Sequence, residues 1–444
     1  MSNEGVERTG DEALPDRSRR QSHFGGPAGA RRGVLTMNVR LGTRADIDVQ
    51  MRWASSLSRV STTAEAFAEA AQALEVRLGG STPDLLLAFT SSEHAGEYRR
   101  SAALAQRRFP ASLVAGCTAS GVIGDAHEAE EGPALSLTAA VLPSVALSAF
   151  HLDMTSLPPA EGSAPAWHAI VGAPPEARPK LLLHADPFSI DARELIAGLD
   201  VAYPGAPKFG GLASGGGRAG ENRFLLGQDV HRSGALGIVF SGDIEVETVI
   251  AQGCRPIGAP MIVTRCHGGL LQEVDQRPPV KVLGELYASL GERDRELMRH
   301  SLFLGIEMRA ESVEYDPSEL LVRNILGADQ ETGALAVGAE LRPMMVAQFV
   351  LRDARTADDD LRRMLGKQGP SASPPAGALL FSCVGRGSGL FGRPDHDTAL
   401  FEERRGPAPL GGFFCNGEIG PVGGTTFLHG YTSAFAMFRE AAGT

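Results

Sequence analysis

The chain has 444 residues, 43% of them hydrophobic, with a formal net charge of −11 and a pI near 5.5. This length exceeds one ordinary domain and the apolar fraction supports real cores, so two or three domains are expected and global disorder is excluded. The acidic balance argues against a nucleic-acid partner, and no apolar run reaches the roughly 20 residues that cross a bilayer.

Residues 1–33 carry almost no large apolar side chains and are expected to be disordered, in a tail taken to residue 50. Ser18-Arg19-Arg20 superficially matches a twin-arginine export signal, but Gly25-Gly26-Pro27 follows in place of an apolar stretch, so export is rejected. Folded character begins near Met37 or Met51, either of which could be the true start. A helix is predicted from Thr62 to Leu78: Thr62 and Glu65 have capping-box spacing, Phe67, Ala70, Leu74 and Leu78 share a face, and Gly79-Gly80 ends it. Asp84 to Ser91 reads as a strand buried on both faces. A helix follows from Tyr98 to Phe109, then a strand running into GCTASGVIG. The segments GPALSLTAAV and VALSAFHLD read as two strands joined at Pro143-Ser144 by a hairpin or tight connection.

The same order returns: a strand at Lys180–Asp186, a helix at Ala192–Leu199, a run into glycines at Lys208–Gly217, and a β pair over Gly234–Gly253. A polar turn from Arg265 leads to a helix at Val280–Leu290. A strand at Ser301–Ile306 precedes a third β pair over Gly333–Asp353, followed by a short helix at Asp358–Leu365 and an exposed loop at Gly369–Pro375. The last strand–helix–strand runs from Ala378 to Arg439. Its GFFCNGEIG aligns with GCTASGVIG, which matches Ser120 to Asn416 and Val122 to Glu418. The repeats predict an α/β (α+β) fold of two domains, built from related strand–helix–strand plus β-hairpin units with mixed sheets.

Most enzyme signatures fail. GSGLFG at Gly387–Gly392 fits a dinucleotide pattern, but Arg393-Pro394 follows and a helix cannot start before about Asp395, where a nucleotide site needs one directly. Neither a phosphate-binding GxxxxGK[ST] nor a GxSxG elbow occurs. Cysteines are five, odd in number and irregularly spaced, which argues against a disulfide framework and fits a reducing, cytoplasmic setting. Cys383, Cys415, His396 and His429 lack the close pairs of a metal site, so no metal or cofactor is expected. Cys383 and Cys415 are candidate reactive thiols, and Cys415 with His429 as base would make a nucleophile; the bland alternative is a buried thiol and a structural imidazole. Glu418, between glycines at a strand end, is either a turn residue or a reader of a ligand's amine or hydroxyl. Arg386, between Gly385 and Gly387, could fork onto a ligand carboxylate. Arg323-Asn324 could do likewise or cap the turn before Gly327.

The segments LVRNILGADQETGALAVGAELRP, RDA with TA and DL from Arg352 to Leu361, and CVGRG, GFFCNGEIGPVGG and FLHGYT together resemble the C-terminal FIST domain. LLLAFTSSEH, GCTASGVIG, KFGGLASGG and the start MRWASSLS at Met51 resemble the N-terminal FIST domain. The resemblance spans Met51 to Arg439 and sets expected domains at 51–235 and 236–444. It implies an intracellular small-ligand sensory protein, with amino acids or similar metabolites as ligands and no catalytic residue set. No kinase, cyclase, chemoreceptor or F-box segment fits outside the two domains, so a signalling output would lie on a separate partner protein. The ligand readers expected are Arg386, Asn416, Glu418, Ser120, Arg323, Asn324 and His429. An enzyme using Cys415, or an interaction scaffold without ligand, is the alternative.

Overall fold

The computed structural model describes residues 34–39, 50–159, 163–308, 319–367 and 374–441. Within the span expected as a tail, Val34–Val39 forms a strand. Residues 1–33 and positions 369–373 of the expected loop lie outside the described residues.

The α/β expectation holds, and the repeat proves to be threefold. The first copy runs through the strand Arg52–Ser58, helix Thr63–Arg77, strand Leu85–Ser91, helix Tyr98–Arg108 and strand Leu113–Ala119. It ends with the hairpin Val122–Gly124/His127–Ala129 and the strand Leu135–Val141. The second copy repeats this order from Val145–Leu152 to Ala235–Gly242, with its hairpin at Phe224–Leu226/Asp229–His231. Its first helix, Ala164–Val171, has no counterpart among the predicted elements. The third copy begins at Ile244–Gln252 and resumes with helix Ala354–Gly366, strand Gly377–Cys383, helix His396–Arg405 and strand Leu410–Cys415. Its hairpin is Glu418–Val422/Thr425–His429, and Thr432–Glu440 closes it.

Each copy builds a mixed sheet in which its first strand lies outside its last, followed by its two parallel central strands. The hairpin beyond them always comes from another copy. The first copy's hairpin pairs with Leu410–Cys415 of the third, the second's with Leu113–Ala119 of the first, and the third's with Lys208–Leu212 of the second. The registers are equivalent: Gly116 faces Leu225, Gly210 faces Ile419 and Gly412 faces Ile123. These glycines have φ of +157°, +143° and +144°, and a Cβ on any of them would lie 1.9 Å from a carbonyl oxygen of the adjacent strand. Glycine is therefore required at all three strand positions, for conformation and for space.

The Pro143-Ser144 join is the tight connection and not the hairpin, and the second expected β pair is corrected in the same way. Leu135–Val141 and Val145–Leu152 are joined through Ser144 at φ +58°, yet they belong to different sheets. Ala235–Gly242 and Ile244–Gln252 likewise part into separate sheets. In both places the strands pair at long range within their own copies, which sequence adjacency does not reveal. The third expected pair is also not a hairpin. Leu335–Val337 and Val346–Arg352 are unpaired with each other in a closed six-stranded barrel, residues 254–352, inserted into the third copy. Val263, Leu271, Leu304 and Phe349 fill its core. Pro279–Ser289 matches the predicted helix, and Glu292–His300 is a second one whose mostly charged sequence hid it. The barrel leaves and returns through a paired neck in which Cys254 faces Arg352.

The three sheets share one apolar core. At its centre three equivalent positions, Phe89, His184 and Phe381, meet Phe413, with ring centroids 5.0–5.5 Å apart for Phe89–His184, Phe89–Phe413, His184–Phe413 and Phe381–Phe413. His184 is fully buried, neither ring nitrogen has a partner among the described residues, and burial drives its pKa down to about 3.

Candidate functional site

Parallel strands leave their loops at their carboxyl ends, and ligands of open α/β sheets gather there. Beyond the end of Gly377–Cys383 the chain makes the turn Val384–Gly387. A cleft of about 600 Å³ opens between this turn, Ser120-Gly121, Glu130-Glu131 and the barrel neck at Ser301 and Arg352. Gly387 adopts φ +68°, and a Cβ there would collide with Glu130. The Glu130 carboxylate accepts bonds from Ser388 N and Oγ at 2.8–2.9 Å, which ties the turn to the first copy. A one-turn helix, Ser388–Phe391, follows directly. This corrects the expectation that no helix starts before Asp395: the chain closes one turn and stops at Gly392, in the left-handed conformation, ahead of Arg393-Pro394.

Of the residues expected to read a ligand, Arg386 and Ser120 line this cleft. Arg386 already has a carboxylate. Its Nε and Nη2 donate to Asp397 at 2.7 and 2.9 Å, and both side chains are buried. Burial alone would lower the Arg386 pKa, but Asp397 reverses this and raises it. Burial works against Asp397 ionisation too, yet the Arg386 charge holds its carboxyl well below the usual range. His396 extends the network, bridging Asp397 at 2.8 Å and Asp358 at 2.9 Å. Beside it, Glu128 is pushed up to about 8, first by burial and then by the charge of Asp397.

Arg352, which the sequence reading did not single out, is the cation that remains available. Its guanidinium lies 5.5 Å from the Tyr431 ring centre, and no hydrogen bond or ion pair to its side chain occurs among the described residues. The Arg-Asp pair that ends the barrel and starts a helix was the available signal: Asp353 caps the helix by accepting from Arg355 N, which leaves Arg352 at the neck.

The other expected residues are not in the lining of this cleft: Glu418, Cys383, Cys415 and His429 are buried, Arg323 is half-buried, and Asn324 and Asn416 are exposed. Glu418 is fully buried; its Oε2 accepts from Thr432 Oγ1 at 2.6 Å and Thr432 N at 3.1 Å, and its Oε1 from Cys415 Sγ at 3.3 Å. Burial raises its pKa to about 7 despite these bonds. Cys415 is pushed well above the ordinary thiol value by burial and by Glu418, and Cys383 up to about 11 by burial foremost. His429 bonds Gly420 O at 3.0 Å, burial lowers its pKa to about 4, and no hydrogen bond joins it to Cys415 among the described residues. Arg323 donates to Val322 O and Leu428 O, with its pKa lowered to about 10 by burial and by Arg193. Asn324 accepts from the Tyr431 hydroxyl. Asn416 donates to Ala213 O at 3.3 Å, while its counterpart Ser120 meets Ser214, the residue of the second copy at the same position.

Among the described residues no cluster of three or more His, Cys, Asp or Glu side chains could hold a metal ion, and no helix is long and apolar enough to cross a membrane.

The sheets define an α/β protein with a polar cleft at the carboxyl ends of its parallel strands. Residues 84–277 match the FIST N domain and 279–421 the FIST C domain, and the chain belongs to the FIST family of small-ligand sensory domains. It is 36% identical over 391 residues to an uncharacterized protein of Mycobacterium tuberculosis, covering 88% of this chain and 100% of the relative. An uncharacterized protein of Mycobacterium bovis is 36% identical over 380 residues, 85% of this chain and 96% of its own. An F-box/LRR-repeat protein of Arabidopsis thaliana is 28% identical over 158 residues, covering 32% of this chain and 29% of that one.

Proposed function

We propose that the chain is a cytoplasmic sensor whose cleft between the glycine turn and the barrel neck binds a small zwitterionic metabolite, an amino acid or a close relative. Its output would pass through a separate partner protein. The observation that carries this reading is Arg352, a guanidinium without an anionic partner among the described residues at the wall of a 600 Å³ cleft. Its planar fork suits a carboxylate. Glu131, also in the lining, suits an ammonium, as a zwitterion requires, while Glu130 beside it is bonded to Ser388. Arg386, held by Asp397, shapes the turn instead of reading the ligand. Because Arg352 ends a barrel strand, a ligand that draws it toward the turn pulls on the barrel.

The nucleophile alternative is weaker. The Cys415 thiol is fully buried and poorly ionised, and His429 is bonded elsewhere.

The test is a thermal-shift and calorimetric screen of amino acids on protein shown by mass spectrometry to be ligand-free. A true ligand at a hundredfold excess over its Kd stabilises by about 2.7 kcal/mol, and Arg352→Gln removes that gain. A panel without a stabilising member, or a ligand bound equally well by Arg352→Gln, overturns the assignment.

A further inference from the structure

A second cavity, of about 410 Å³, lies away from the cleft, between the first copy's opening strand and the third copy's helix His396–Arg405. Its walls are apolar, formed chiefly by Trp53, Phe401, Pro409 and Leu410. Three charged side chains line it: Arg77, Asp125 and Glu402. Arg77 and Asp125 cancel in an ion pair of 2.7 Å. Glu402 has no side-chain hydrogen bond or ion pair among the described residues, so the lining keeps one uncompensated negative charge.

The repeat says what kind of occupant fits. In the second copy the corresponding outer strand, Val145–Leu152, is covered by the added strand Val34–Val39. In the first copy that position is closed to a strand, because Arg77 donates to Ser55 O on the edge. The third copy has a smaller cavity of about 280 Å³ beside its own opening strand, walled by its own helix Ala354–Gly366 and not by a helix of another copy. In the first copy the cavity is left to a compact molecule.

We propose that the cavity bounded by Trp53, Phe401 and Glu402 is a second binding site, selective for a small aromatic monocation that sets its ring among the apolar walls and its ammonium on Glu402. The site is independent of the zwitterion cleft. Trp53 is one of two tryptophans, so a Trp167→Phe variant makes it the sole tryptophan, excited selectively over the tyrosines at the red edge. Titration with phenethylamine should change its emission saturably in the millimolar range. Glu402→Gln should weaken binding about fivefold, the worth of one partly exposed charge pair, while phenylacetate should not bind. Since Trp167 is buried, saturation-transfer NMR with phenethylamine on the otherwise unaltered chain gives the same comparison if that variant does not fold. Arg352→Gln should leave the result unchanged, which separates this site from the cleft. Absence of saturation, unchanged affinity in Glu402→Gln, or equal binding of phenylacetate overturns the proposal.

Discussion

Arg386 grips Asp397 through two near-parallel hydrogen bonds, and both side chains are withdrawn from water. The pair fastens the glycine turn to the first turn of helix His396–Arg405. Removing one partner strands a buried charge, so Asp397→Asn should destabilise the protein by about 3–5 kcal/mol in urea denaturation. Arg386→Lys should not restore stability, because an ammonium cannot form the fork. A loss below about 1 kcal/mol for Asp397→Asn would show that water reaches the pair.

The strand glycines make a sharper demand. Gly210→Ala and Gly412→Ala each drive a Cβ onto a backbone carbonyl, and either should be insoluble or lose more than about 4 kcal/mol. Gly284, in open space on helix Pro279–Ser289, is the control: Gly284→Ala should gain about 0.5–1 kcal/mol. Similar melting temperatures for Gly210→Ala and Gly284→Ala would contradict the close approach of Gly210 to Leu183 on the adjacent parallel strand.

His184 occupies a position that holds phenylalanine in the other two copies. Its buried nitrogens have no partners among the described residues, so His184→Phe should stabilise the protein by about 1–3 kcal/mol at neutral pH. The acid response follows from the lowered pKa. Below about 6.5 the unfolded chain takes up a proton that the folded imidazole refuses until about pH 3, so stability falls with pH by about 1.4 kcal/mol per unit. His184→Phe should remove that component from melting curves recorded between pH 6.5 and 4. An unchanged acid limb would mean that His184 is hydrated in the folded state.

Glu418 works in the opposite sense. Its carboxyl, raised to about 7, is protonated in the folded protein where the unfolded chain has lost its proton. Its contribution is therefore complete below about pH 4.5 and is lost as pH rises toward 7. Glu418→Gln keeps an acceptor for Thr432 and has no charge to bury. The variant should gain on the parent with rising pH and level off above 7, a trend that chemical denaturation at pH 5, 6, 7 and 8 would reveal. A constant difference across that range would contradict it.

Much of the architecture was legible because each copy repeats its local chemistry. The alignment of GCTASGVIG with GFFCNGEIG placed Ser120 with Asn416 and Val122 with Glu418, and the structure puts these pairs at equivalent points. KFGGLASGG, read as the second run into glycines, is the third member of the set, with Ser214 in the matching place. The partner of each hairpin was not legible, because turns such as Ser144 look alike whether a chain doubles back or passes to another sheet. At the site, Arg386 was identified as a carboxylate binder, but its carboxylate lay eleven residues downstream in Asp397. Arg352 was hidden in a motif where the neighbouring aspartate accounted for the sequence pattern.

The circular trade of hairpins has a consequence for cutting the chain. A break between Gly242 and Asp243 yields one piece whose second sheet lacks Glu418–His429, and another whose sheet lacks Val122–Ala129. Neither fragment can satisfy its exposed edge alone. Mixed together, each carries the missing strands of the other, so the halves should complement into one folded heterodimer where either alone aggregates.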